Sequence, residues 1–176
     1  MTPRAEPETS ASGDEFILDD FFPYRVVRLG RAMSEALGAV YKDEGITIPE
    51  WRVLAVIAQS DTTESDTAQG MAAQSMTAQG MAARDVTART PMDKMAVSRA
   101  AASLEQKSLV TRTPDATDRR VAFLRLTPSG RAIHQRIAAM ARKYQAGLLA
   151  TIDDDTRQNL LDLLRKLETE AGAVQS

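Results

Sequence analysis

Residues 93–130, DKMAVSRAAASLEQKSLVTRTPDATDRRVAFLRLTPSG, change their hydrophobic period twice. Asp93 stands where a helix N-cap belongs, and Val97, Ala101 and Leu104 recur at steps of four and three, which predicts a helix from Lys94 to about Lys107. Met92 before the cap and Val97 after it have the spacing of a hydrophobic staple, which sets the angle at which the chain enters that helix. Leu109–Thr113 and Val121–Leu126 are β-prone runs around the turn-rich Pro114-Asp115-Ala116-Thr117-Asp118, and predict a β-hairpin with a long loop. Thr127-Pro128 then opens a further helix, Pro being tolerated where first-turn amides have no intrahelical partner.

The period that turns Val97, Ala101 and Leu104 inward leaves Lys94, Ser98, Arg99 and Ala102 outward. That outer face suits a nucleic acid. The Arg99 guanidinium can fork onto guanine acceptors, Ser98 can bond a base or a phosphate, and Lys94 lies near a helix N-terminus, where backbone amides also favour phosphate. Arg119 and Arg120 sit together at the hairpin tip, where a guanidinium can enter the narrow minor groove and Asp115 or Asp118 can hold one of them; Arg112 and Arg125 flank the hairpin. Preceding the stretch, Ala83–Arg89 reads as a short helix broken by Thr90-Pro91. Helix, tight turn, helix and hairpin form the order of a winged helix-turn-helix, whose second helix enters the major groove.

Charge partitions the same way. The net charge is -2, yet residues 84–131 hold ten basic and five acidic side chains, against six and thirteen before them and six and six after. A basic segment in a neutral to acidic frame is the footprint expected of a DNA-binding face, although an acidic protein partner or a merely solvated surface would carry similar charges.

Farther out, residues 1–15 are rich in Pro, Ser, Glu and Thr with nothing to bury and read as a disordered tail, leaving one domain over 16–176. Asp20 is a candidate cap for a helix over 20–45, carrying Phe22, Val26, Leu29, Met33, Leu37 and Val40 on one stripe and ending at Gly45. Thr47-Ile48-Pro49-Glu50 is a capping box that opens a second helix through Trp51, Leu54, Ile57 and Ala58, and with it a DNA-binding lobe over 47–126. Residues 60–83 contain TAQGMAA twice, at 67–73 and 77–83, a ten-residue period that puts Met71, Met76 and Met81 on no single face. The tract therefore reads as an inserted loop or loose helix rather than a methionine-based sensor. After Thr127, Ile133, Ile137, Met140, Tyr144 and Leu148 form one stripe; past a cap at Asp153, Leu160, Leu164, Leu167 and Ala171 form another, widened by Leu161 and Leu163.

Hydrophobic residues make up 43% of the chain and aromatic ones 5%, a balance that favours helix packing over a β-sandwich, so the fold expected is mainly α with a small β-hairpin wing. No run approaches the roughly 18 apolar residues of a membrane span, and the first residues lack the apolar core of a signal peptide, so a cytoplasmic protein with no membrane partner is expected. The absence of cysteine excludes disulfides and thiolate metal sites. His134, the lone histidine, is more economically a packing or surface residue than a ligand. Asp153-Asp154-Asp155 suggests a hard-metal site only until capping and the helix dipole account for it, and no nucleophile with a paired base is visible. No enzyme activity, metal or cofactor is expected.

The stretch 93–130 resembles the MarR family signature: a recognition helix ending in a LExKGLV-like turn, a wing with D-x-x-D-R-R, and a closing L-T-x-x-G. ITIPEWRVLAVIA, from Ile46, is similar to that family's second helix. The resemblance implies a homodimer whose N- and C-terminal helices, here 20–45 and 128–176, intertwine, and two winged lobes that read a pseudo-palindromic operator. It also implies transcriptional regulation, often as a repressor released from DNA by a small aromatic or anionic effector. The family keeps that effector between the dimerisation helices and the lobe, where Tyr24, Arg25, Arg28 and Trp51 are the candidates for aromatic walls and a carboxylate clamp; core packing and solvent are their simpler uses. Two features depart from the pattern. Ser108 stands where the family usually has Gly, which points to strain after the recognition helix, and the 60–83 tract lengthens a usually short connection, which puts the family's small strand there in question. The rival reading is a winged-helix protein-interaction module that has lost DNA binding; such a module need not keep Ser98, Arg99, Arg119 and Arg120 polar.

Overall fold

The computed structural model describes residues 16–66, 80–115 and 121–173. It comprises two compact units, one up to Ala36 and one from Leu37. In the first, a 3-10 turn at Leu18–Asp20 leads into helix α1, Phe22–Val40, whose later turns belong to the second unit. Asp20 closes the 3-10 turn and does not cap α1; the first helical amide bond, from Arg25 N, reaches the Phe21 carbonyl. Phe16, Phe22, Val26, Val27 and Leu29 stand exposed.

The second unit is built around α2, Ile48–Asp66, which buries Val53, Leu54, Val56, Ile57 and Ala58. The capping box forms as read: Glu50 Oε2 accepts from Thr47 N at 2.7 Å, and Thr47 Oγ1 accepts from Glu50 N at 3.4 Å. Gly45, in the left-handed region at φ +68°, ends a 3-10 turn at Lys42–Glu44 rather than α1 itself. Residues 61–66 of the repeat tract continue α2, 67–79 lie outside the described residues, and Met81–Ala82 form strand β1. The small strand is thus present despite the lengthened connection.

Helices α3, Ala83–Ala88, and α4, Lys94–Gln106, make the helix-turn-helix. Asp93 Oδ1 accepts from Ala96 N at 2.7 Å, so the cap that defines the start of α4 is in place. Val97, Ala100, Ala101 and Leu104 are buried, while Met92 packs at the edge of the same core. At the other end Ser108 N donates to Glu105 O and Leu109 N to Leu104 O, the paired bonds of a Schellman motif. Such a motif needs a left-handed residue after the cap, and Ser108 takes φ +56°.

Strands β2, Val110–Pro114, and β3, Ala122–Leu126, are antiparallel, and β1 pairs with the other edge of β3, giving the order β1-β3-β2. The register sets Val110 opposite Leu126 and Arg112 opposite Leu124. Opposed residues share a face, so Val110 drops into the core and Arg112 stands one pair farther out on the same side. Thr127 Oγ1 accepts from Gly130 N at 3.0 Å and opens α5, Pro128–Leu148. A Cβ on Gly130 would lie 2.0 Å from the Leu109 carbonyl oxygen, so only glycine lets α5 start against the base of the wing. Helix α6, Asp154–Ala173, follows with Leu160, Leu161, Leu163 and Leu164 exposed.

Candidate nucleic-acid interface

Five basic or hydroxylic positions converge because α3, α4 and β2 border one cleft of about 340 Å³. The cap at Asp93 starts α4 so that Lys94 and Ser98, one turn apart, line one wall, and the strand register brings Arg112 of β2 to the opposite side. Arg84 and Thr87 of α3 complete the rim, and Val97, Ala101 and Leu124 form an apolar floor that fixes these walls. Thr87 Oγ1 spends its proton on the Ala83 carbonyl at 3.1 Å, which leaves its oxygen lone pairs. Arg84 lies 3.7 Å from Asp85, with both side chains largely in water.

Arg99 is exposed on α4 beside this cleft rather than in its lining. Lys94, Ser98 and Arg112 are therefore brought together, Arg99 occupies the next strip of the same helix, and Arg119 and Arg120 lie outside the described residues. Sequence periodicity had pointed to α4 and the wing alone. Arg84 and Thr87 were missed, although Arg84 falls in the basic segment at the start of a helix.

The proposed effector residues divide between the two units. Arg28 donates to Asp19 Oδ1 at 2.7 Å and its guanidinium lies 5.7 Å from the Tyr24 ring centroid. Arg25 and Arg28 line one open groove with Asp19 and Asp20, so these carboxylates already supply negative charge that an anionic ligand would have to displace. Trp51, in the second unit, stacks on His134 with centroids 5.5 Å apart and planes 18° apart, and lies 6.0 Å from the Tyr41 ring. The lone histidine thus has a packing role that its isolation in the sequence left open. Of the acidic run, Asp153 caps α6, accepting from Thr156 N at 2.9 Å and from Thr156 Oγ1 at 2.7 Å. These bonds, led by that of the Thr156 amide, hold its carboxyl below the ordinary value.

A second polar cluster lies at the far end of α4. Glu50 is 2% exposed, and its carboxylate accepts from Ser103 Oγ at 2.6 Å and from Lys107 Nζ at 2.7 and 2.9 Å, besides Thr47. Burial pushes this carboxyl upward, but Lys107, Ser103 and Thr47 together bring it below its usual range. The turn before it is tied to α5, where Arg136 forms a two-pronged ion pair with Glu44, at 2.8 Å from Nη2 and 3.2 Å from Nε.

The sequence model of the MarR family matches residues 44–121. YdgJ of Bacillus subtilis (strain 168), an uncharacterised HTH-type transcriptional regulator, is 26% identical over 85 residues, 48% of this chain and 52% of its own. The chain thus spans about half the length of that curated relative. A MarR/EmrR family regulator from Acinetobacter sp. ADP1 superposes with a TM-score of 0.71 at 19% identity, over 90% of this chain and 99% of its own. BpsR of Bordetella bronchiseptica, whose DNA binding is regulated by 6-hydroxynicotinic acid, superposes with a TM-score of 0.68 at 20% identity, over 87% and 96%. At such identities the structural likeness is one of fold.

Proposed function

Because residues 44–121 match the sequence model of the MarR family, we propose that this chain is a winged helix-turn-helix transcription regulator that binds a pseudo-palindromic operator in double-stranded DNA as a homodimer and acts as a ligand-responsive repressor. The observation that carries the reading is the convergence of Lys94, Ser98, Arg112 and Arg84 on one cleft, with Arg99 exposed beside it. Such a face offers ammonium and guanidinium groups to phosphates and one unencumbered fork to a base edge. Arg119 and Arg120 of the wing are assigned to the adjacent minor groove.

Dimerisation is supported by the leucines of α6 and the apolar residues of α1, which a single copy leaves in water. The effector is proposed to be a small aromatic acid, by analogy with BpsR, acting in the cytoplasm. Within the first unit, Tyr24 offers it an aromatic face, and Arg25 and Arg28 a carboxylate clamp once Arg28 exchanges Asp19 for the ligand. Selection from a randomised duplex pool, followed by gel shift against a scrambled duplex, tests the central claim. A retarded species of two protein chains on an enriched palindrome is expected. Equal binding to both duplexes would reject sequence-specific recognition, and no binding even at low salt would favour a protein-interaction module.

A further inference from the structure

The cluster around Glu50 does more than start α2. Ser103, near the end of α4, and Lys107, the C-cap residue one turn on, both donate to the same oxygen, Glu50 Oε1, which α2 carries. Lys107 Nζ also donates to the Gly45 carbonyl at 2.7 Å, and that turn is held in turn by Arg136 through Glu44. Two attachment points on one side of a helix restrain both its slide along the axis and its rotation about it, where a single bond would leave the helix free to pivot. At about 100° per residue, Ser103 sits some 40° around α4 from Arg99 and one turn farther on. A rotation that released Ser103 would therefore swing Arg99 across the groove floor. The buried Val97, Ala100, Ala101 and Leu104 fix which side of α4 faces the core, but apolar contact is non-directional and sets that rotation less sharply than a hydrogen bond does.

We propose that Glu50, through Ser103 and Lys107, is a positioning residue that sets the rotational and axial register of the recognition helix, and so decides which base edge Arg99 meets. This rests on the DNA-reading role assigned above. Packing alone needs no charge here; a bonded carboxylate adds direction, since each of its donors accepts only a narrow range of angles. The paired arrangement also explains why a fully buried carboxylate is placed between two helices that already share an apolar core.

The test compares wild type, Glu50→Gln, Lys107→Met, Lys107→Arg and the double variant Glu50→Gln/Lys107→Met. For each, affinity is measured for the duplex that wild type enriches from a randomised pool and for its scrambled counterpart, together with the melting temperature. Loss of the clamp should lower the ratio of the two affinities by on the order of tenfold, comparable to one mismatched base pair. Affinity for scrambled duplex should hold, since the phosphate-facing charges are untouched. The double variant should be little worse than either single one, and Lys107→Arg should keep most of the ratio. Variants that melt earlier but keep the wild-type ratio would show the cluster to be structural only and overturn the proposal. Should Glu50→Gln not fold, the more exposed Lys107→Met decides by the same ratio. A wild-type protein that enriches no sequence would instead overturn the regulator reading, and the clamp's purpose with it.

Discussion

Ser108 shows how a single side chain is priced by its backbone. The Schellman bonds after α4 place it at φ +56°, where a Cβ crowds its neighbouring carbonyl. Glycine relieves that contact but loses more entropy on folding, so Ser108→Gly should stabilise by about 0.5–1 kcal/mol. Urea unfolding of the variant checks this, and an unchanged midpoint would mean that the turn is unstrained. Arg99 and Arg112 test the division of labour in the interface. Arg99→Ala should cost about 1–3 kcal/mol on the enriched duplex and flatten discrimination at one base position. Arg112→Ala should weaken all duplexes alike and reduce the salt slope by about one. Matching profiles across a panel of single-base variants would show that the two arginines do the same work.

At the scale of elements, α2 and α4 are joined by chemistry that depends on pH. The Glu50 carboxyl titrates below its ordinary value in the folded protein, the donors of Lys107, Ser103 and Thr47 outweighing burial, so the folded state holds fewer protons than the unfolded one as pH falls. Its contribution is therefore complete above the unfolded value, about pH 4.5, and is lost as pH drops through the folded value. Glu44, lowered chiefly by its bond from Arg136, and Asp153, lowered chiefly by the Thr156 amide, act in the same direction. Glu50→Gln should destabilise by about 1–3 kcal/mol near pH 7, less than breaking a fully buried pair because the Lys107 side chain remains 37% exposed. As pH falls through the folded value, the unfolding midpoints of the variant and wild type should converge. A gap that persists undiminished in acid would show that the loss comes from packing rather than charge.

For the whole molecule, binding should be strongly electrostatic. Two lobes that together neutralise about 6 to 10 phosphates should lose roughly a thousandfold or more in affinity between 50 and 200 mM salt. Filter binding across that range measures the slope, and a flat response would remove the basic face from the account. The leucines exposed on α6 should be the surface buried in the dimer. Leu160 and Leu164, four residues apart and on one side of the helix, are the places to test it. Replacing both with glutamate should shift sedimentation to the monomer and weaken operator binding, because each lobe alone then bears the cost of finding its half-site. A double variant that still sediments as wild type would place the dimer contact elsewhere.

Much of this was written in local sequence. The caps at Thr47, Asp93, Thr127 and Asp153, the inward stripe of α4 and the alternation of the wing depend on residues three or four positions apart, or on alternate ones, so they were legible without knowing where the rest of the chain goes. The family pattern followed from the same short stretch. What the sequence could not disclose were contacts whose partners are far apart in the chain. Glu50 meets Lys107 across 57 positions and Arg136 meets Glu44 across 92; Gly130 is required by the carbonyl of Leu109 rather than by any turn of its own; Arg84 joins Arg112 only because β3 brings the wing over α3. Short-range hydrogen bonding and hydrophobic period decide where each element starts and which side it buries. Only packing of the finished elements decides which polar groups meet between them, because that depends on distances no local spacing encodes.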